Sequence, residues 1–224
     1  MLGFSILKLE ASRPQVFVQF WKQAYQADES TYDRNIRPGS LLDSDNVEKL
    51  MCWKAGRFRT SATAFARAVP LATLNSRREH HGTLTDAEVE ELYDEITNAL
   101  RSVGLQRAGN IIWPIFLCHV AHPQGTPIYD VNVWLAWGFI EGWIRPEHFN
   151  QRPTRFSTYL EFRAWHNALV SKFVNEMHAD PLVAHPAIQA SIRFLEAQRA
   201  IDFLDPTSAK ARRWADRASN RDRQ

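Results

Sequence analysis

The sequence predicts an all-α protein. Apolar residues recur every three or four positions through much of the chain, and helix-starting and helix-ending residues flank these segments. Alternation typical of a strand occurs only weakly, between residues 15 and 20, where a helix fits equally well. With 224 residues, of which 45% are hydrophobic and 23% charged, the chain suits one globular domain or two closely fused helical lobes.

The clearest helix begins at Thr85. Thr85 and Glu88 are spaced as a capping box, in which the threonine hydroxyl and the glutamate carboxylate each accept the other residue's backbone N–H. A single apolar face follows, made of Val89, Leu92, Ile96 and Leu100. Gly104 supplies the left-handed residue that commonly ends a helix, which predicts the end of this one.

Six further segments are predicted to be helical. In chain order they run from Asp43 or Ser44 to about Lys54, from Thr60 to Ala68, from Gly109 to Val120, from Asp130 to about Glu141, from Ser157 onward, and from about Pro186 to Asp205. The segment 109–120 is apolar on nearly all sides, which predicts a buried helix. Its Pro114 lies close enough to the start to be tolerated there.

Several functional classes lack support in the sequence. No apolar run approaches the roughly 20 residues that cross a bilayer, and the N-terminus does not resemble a signal peptide, so we expect a cytoplasmic protein without a membrane partner. Two cysteines, Cys52 and Cys118, are too few for a disulfide framework. Cys118 and His122 have the spacing of two metal ligands, but no second pair completes a site, so we expect no metal or cofactor. Neither a Gly-x-Ser-x-Gly elbow nor a phosphate-binding glycine loop is present.

Positive charge is concentrated at the C-terminus. From Lys210 onward the chain carries six cations and two anions, a net charge of +4, whereas the rest of the chain carries −2. Such a segment can contact phosphates, because each neutralised phosphate releases counterions. A solvated, frayed terminus is the alternative interpretation. We treat 205–224 as a basic tail.

The segment 127–134, Pro-Ile-Tyr-Asp-Val-Asn-Val-Trp, places a carboxylate at the start of a predicted helix. Asp130 follows a turn-rich loop, and a helix N-terminus keeps such a carboxylate ionised through its dipole and its N–H groups. A carboxylate there can serve as an acid, a base or an ion-pair partner. Aspartate is also a common N-cap, so a purely structural role is the alternative.

The order of elements over 86–141 is helix, glycine-containing hairpin, buried helix, loop, and Asp130 at the next helix start. This arrangement resembles the helix-hairpin-helix DNA glycosylase superfamily. The sequence at 130–134 is most similar to that of the 8-oxoguanine glycosylase branch, in which a motif of the type Val-Asp-Val-x-Met-Trp contains the catalytic aspartate. The resemblance implies a two-lobed helical bundle with a cleft, here expected over 1–204, and Asp130 as the catalytic residue.

The chain departs from that family in two places. The segment 103–109, Val-Gly-Leu-Gln-Arg-Ala-Gly, stands where the family has a Leu-Pro-Gly-Val-Gly type of loop. Bifunctional members also have a nucleophilic lysine just after the hairpin, and this sequence has no lysine between Lys54 and Lys172. Arg107 is the nearest cation, and arginine stays protonated and does not form a Schiff base. The resemblance therefore implies a monofunctional enzyme.

The same resemblance implies DNA-contacting residues. Gly104, Arg107 and Gly109 of the hairpin are expected to hold a phosphate, since tight glycine turns expose backbone N–H groups. An ordinary connection between two helices is the alternative. Further phosphate contacts are expected at Lys54, Arg57, Arg77 and Arg78, which otherwise would be solvated surface cations.

A flipped base stacks between aromatic faces, and the chain has eight tryptophans, most of which we expect in the core. The expected base-pocket residues are Trp134, Tyr129, Asn132 and Trp53. Trp134 is the first choice because it lies one helical turn from Asp130.

The leading hypothesis is a monomeric, monofunctional DNA glycosylase that excises a modified base. Because the chain has diverged from the oxidised-guanine enzymes, a bulky modification such as glucosylated phage cytosine is preferred, in an antiphage role. The alternative is a catalytically inactive DNA-binding module of related fold, which the altered hairpin and absent lysine favour. An unrelated helical interaction protein is the third hypothesis.

Overall fold

The computed structural model describes residues 30–36, 40–55, 59–78, 83–143 and 151–177, and this part of the chain contains helices and no strand. The helices are α1 Ser30–Ile36, α2 Ser44–Ala55, α3 Arg59–Ala68, α4 Leu71–Asn75, α5 Asp86–Ser102, α6 Ile112–Ala121, α7 Val131–Ile140 and α8 Phe156–Met177. The all-α prediction is therefore confirmed for these ranges. None of the helices there is long and apolar enough to span a membrane.

The described residues divide into two compact units. The first unit contains 30–129 and 153–163, and the second contains 130–143, 151–152 and 164–177. The boundary falls between Tyr129 and Asp130, and again within α8. The single domain expected over 1–204 extends beyond the described ranges and stays a prediction, and the basic tail 205–224 lies outside them.

Helix α5 follows its sequence pattern closely. Thr85 Oγ1 accepts a hydrogen bond from Glu88 N at 3.3 Å, and Glu88 Oε2 accepts one from Thr85 N at 2.7 Å. The four apolar residues of the predicted face are all fully buried: Val89, Leu92, Ile96 and Leu100. Gly104 has φ of +73°, and Leu105 N donates to Leu100 O at 2.9 Å. The predicted start, face and end of this helix are confirmed.

Helices α2 and α6 carry much of the first unit's core. Helix α2 packs against α1 and α3, and α6 packs against α5 and α4. Asp43 Oδ1 accepts from Asn46 N at 2.7 Å, and Asn46 Oδ1 accepts from Asp43 N, which fixes the predicted start of α2. Every residue of α6 from 114 to 121 is buried, as expected.

The start of α6 was predicted too early. The helix begins at Ile112 rather than at Gly109. Gly109 has φ of +73°, a left-handed conformation that cannot continue a right-handed helix, and Asn110 N donates to Arg107 O in a turn. The hairpin between α5 and α6 is therefore longer than the sequence indicated.

Helices α1 and α4 were not predicted. They span only 7 and 5 residues, too short to show a helical period of apolar residues. The segment 15–20 and the helix predicted from Pro186 to Asp205 lie outside the described residues.

Arg163 of α8 hydrogen-bonds to the 122–127 loop and to the residues at the start of α5. Its guanidinium donates to Gly125 O at 2.7 Å, to Leu84 O and to the carboxylate of Asp86. The side chain is only 5% exposed, so its hydrogen bonds form largely out of water. One buried cation thus connects the 122–127 loop to the start of α5.

Candidate functional site

Asp130 immediately precedes α7 and is half-buried. Its Oδ1 accepts a hydrogen bond from Val133 N at 2.9 Å, and its carbonyl accepts one from Trp134 N at 2.9 Å. This is the geometry of an N-cap, so the structural role that the sequence left open is present. It does not exclude chemistry, because the cap favours negative charge at the helix start and the residue retains exposed surface.

The loop that precedes Asp130 is held by side chains of the first unit. His122 Nδ1 accepts from Gly125 N at 2.9 Å, and His119 Nδ1 donates to Thr126 O at 2.6 Å. Thr126 Oγ1 lies 2.6 Å from His122 O and 2.9 Å from Cys118 O. A Cβ at Gly125 would lie 2.5 Å from His122 Nδ1, so this turn requires glycine. The 122–127 loop is therefore closely fixed within the first unit.

Trp134 lies one turn beyond Asp130 in a cluster of tryptophans in the second unit. Its ring centroid is 5.7 Å from that of Trp143, which is 5.2 Å from Trp137. Trp165 extends the cluster and donates its indole N–H to Glu141 at 2.9 Å. Trp134 is 8% exposed, whereas Trp143 is 40% exposed. The surface ring of this cluster is therefore Trp143, which the sequence did not single out. For Asn132, only its place on α7 is described.

Tyr129 corrects a prediction. Its side chain has no exposed surface, and its ring packs 5.4 Å from Tyr159 and 5.1 Å from Phe162. Burial also raises the pKa of Tyr159 well above its usual range. Tyr129 offers no face on which a base could stack, so its expected place in a base pocket is wrong.

The 103–111 hairpin is exposed at its turn, but several of its N–H groups are already used. Gly104 N donates to Arg101 O at 3.0 Å, and Asn110 N donates to Arg107 O at 3.1 Å. A Cβ at Gly104 would meet nothing within 4 Å, so only the positive φ requires glycine there. Gly109 and Arg107 are both exposed. The N–H of Gly104 is thus not the group that would hold a phosphate, whereas the side chain of Arg107 is accessible.

Arg78 is a second correction. It is 4% exposed and donates to three backbone carbonyls, those of Ile36, Val120 and Ser40. Burial lowers the pKa of its guanidinium, since desolvation disfavours the charged form. A guanidinium buried in this way stabilises the fold through its hydrogen bonds and is not accessible to a DNA phosphate.

The other predicted cations differ in their surroundings. Arg77 makes a salt bridge to Glu91 at 2.9 Å, near the surface. Lys54 is half-buried, with its Nζ 5.6 Å from the centroid of the Phe116 ring. Arg57 lies outside the described residues. Lys54 and Arg77 remain predicted phosphate contacts.

Four ring-bearing side chains that are far apart in the sequence lie together in the first unit, and the sequence did not predict this cluster. Tyr32 of α1 lies with its hydroxyl 2.6 Å from Nε2 of the buried His119 on α6, 87 residues away. The rings of Trp53 and Phe116 pack beside this pair. No pattern in the sequence signals such a pairing, because α1 lacks an apolar period and the two residues are far apart in the chain. Trp53, predicted from the tryptophan count, proves to lie in this group.

Cys118 is not a candidate nucleophile. It is fully buried, and burial raises the pKa of its thiol far above the usual range, so the reactive thiolate is suppressed. His122 directs Nδ1 at the Gly125 N–H rather than at the thiol. Within the described ranges, no group of three His, Cys, Asp or Glu side chains is placed to hold a metal ion.

Comparison with known proteins gives no relative. No family model matches the sequence, and neither the curated proteins nor the solved structures show a significant match to it.

Proposed function

We propose that the chain is a monofunctional DNA glycosylase of the helix-hairpin-helix type, with Asp130 as the catalytic carboxylate. The observation that carries the proposal is the position of Asp130 as the half-exposed N-cap of α7. The order of the helices over 86–141 and the sequence at 130–134 support the same assignment. The two-lobed glycosylase architecture and a monomeric state belong to this proposal.

Asp130 would act on the bond between base and sugar. Breaking an N-glycosidic bond develops positive charge on the sugar, so a nearby anion stabilises the transition state, or a carboxylate activates the attacking water. The Val133 N–H fixes Oδ1 at 2.9 Å, which holds the carboxylate in one orientation. Such preorganisation is what electrostatic stabilisation requires, because the group need not reorient during the reaction.

The proposal is tested by base release. The protein is incubated with unmodified, oxidised, alkylated and glucosylated DNA, and abasic sites are scored on each. We expect release from a modified substrate, with the bulky glucosylated cytosine ahead of oxidised guanine. Preference for oxidised guanine would refute the phage substrate, and the absence of abasic sites on every DNA would refute the glycosylase proposal itself.

Borohydride should trap no covalent complex between this protein and damaged or abasic DNA. The trap requires a Schiff base from an amine, and the sequence has no lysine between Lys54 and Lys172. A bifunctional glycosylase on the same DNA serves as the positive control. A trapped adduct would show that another amine is the nucleophile and that the enzyme is not monofunctional.

A catalytically inactive DNA-binding module is the second candidate. It is supported by the altered hairpin sequence at 103–109 and by the absence of a lysine between Lys54 and Lys172, both of which depart from the catalytic members of the family. DNA binding that falls steeply with salt, without base release, is the expected behaviour of such a module.

A further inference from the structure

Trp143 is the exposed member of the tryptophan cluster in the second unit. Its side chain is 40% exposed, whereas Trp134 and Trp137 are 8% and 6% exposed. Neither of these neighbours stacks in parallel on Trp143, because their rings are inclined to it by 55° and 83°. Burial of so large an apolar side chain is favourable, so an exposed tryptophan leaves surface on which a further group can pack.

The chain turn at the end of α7 fixes the position of this ring. Gly142 has φ of +77°, and Trp143 N donates to Gly138 O at 3.0 Å. These are the left-handed residue and the long-range hydrogen bond of a Schellman motif, which often brings an apolar side chain just after the helix against its last turns. Here that contact is made by Trp143 with Trp137, at 5.2 Å between ring centroids. The exposed ring is therefore held in place before any ligand binds.

The ring of Trp143 adjoins the side of α7 that carries Asp130. Trp134 lies four residues beyond Asp130 and donates its N–H to the Asp130 carbonyl at 2.9 Å. The two residues therefore follow one another on the helix surface, about 6 Å apart along the axis. Side chains of a helix lean toward its N-terminus, here toward Asp130. Because the Trp143 ring lies 5.7 Å from that of Trp134, it belongs to the same side of the helix.

We infer that Trp143 is the residue on which the target base stacks when its sugar lies at Asp130. The inference rests on the proposed function, in which a base must leave the duplex to reach the carboxylate. A flipped base packs on an aromatic face, and the ring of Tyr129 is enclosed. Since the Trp143 ring is already fixed, little conformational entropy is lost when a base stacks there. Every base has a π-face, so this contact favours an unpaired base without selecting among bases.

The test uses two labelled duplexes that differ at one position, which carries either a bulged thymidine or a bulged tetrahydrofuran analogue without a base. Fluorescence anisotropy gives the affinity of the full-length chain for each, and the ratio of the two affinities isolates the contribution of the base. Trp143→Leu should lower this ratio by about 5- to 150-fold, the range for stacking of one base on an aromatic ring. Trp143→Phe keeps an aromatic face and should retain most of the ratio.

Trp113→Leu is the matched control, since it makes the same change at a tryptophan of the first unit that stacks on Phe65. A loss of stability alone weakens binding of both duplexes and leaves the ratio unchanged, so we expect the ratio of the parent in this variant.

An unchanged ratio in Trp143→Leu would overturn the inference and assign the exposed ring to another contact, such as a protein partner. An equal fall in Trp113→Leu, or the absence of binding to either duplex by the parent, would also overturn it. Base release is scored separately on the substrates of the proposed function. A Trp143-dependent ratio without base release would refute the glycosylase proposal alone, and base release with a Trp143-independent ratio would refute only this inference.

Discussion

Asp130→Asn should abolish base release, with a loss on the order of 10²- to 10⁴-fold, while DNA binding and the fold stay intact. Asparagine caps helices about as well as aspartate, so its side-chain oxygen can still accept the Val133 N–H. Only the negative charge is lost, and that charge is what stabilises the transition state of the proposed reaction. Abasic-site formation under single-turnover conditions measures the effect.

Asp43→Asn provides the matched control for that variant. Asp43 is the N-cap of α2, where its Oδ1 accepts from Asn46 N at 2.7 Å, so the same substitution is made at an equivalent structural position. We expect full base release from this variant. Wild-type release by Asp130→Asn would refute the catalytic assignment, and equal losses in both variants would attribute the effect to capping.

Arg163→Met should lower the free energy of unfolding by about 3 kcal/mol, because buried hydrogen bonds to a charged group are lost and carbonyl partners are left unsatisfied. The methionine fills much of the space of the arginine but cannot donate to Gly125 O or Leu84 O. Urea unfolding followed by circular dichroism measures the change.

Arg67→Met is the control for Arg163→Met. The Arg67 side chain is 75% exposed and lies 3.9 Å from the Glu48 carboxylate. Surface ion pairs of this kind contribute between about 0 and 1 kcal/mol, so we expect a small change. A destabilisation of Arg163→Met no larger than that of Arg67→Met would show that the buried network does not stabilise the fold.

Local chemistry in the sequence was sufficient to predict several features of the fold. The capping box at Thr85, the left-handed Gly104 and the Asp43 cap depend on residues only a few positions apart, so their spacing alone specifies the hydrogen bonds. The burial of α6 followed from its apolar residues on all sides. The position of Asp130 at the start of α7 could also be predicted, because it depends on residues close to it in the sequence.

Long-range packing decided the rest. Arg78 donates to three backbone carbonyls from segments about 40 residues away in the chain. The residues next to Arg78 in the sequence are typical of an exposed surface and do not indicate this burial. Tyr129 was likewise expected to stack on a base, but in the structure its ring is enclosed by Tyr159 and Phe162 of α8. The pairing of Tyr32 with His119 joins helices distant in the chain. The sequence by itself determined the longer helices and the caps at Thr85, Gly104 and Asp43, because these arise from neighbouring residues. The tertiary structure decided where the short helices form and which polar and aromatic side chains are exposed, because both depend on residues distant in the chain.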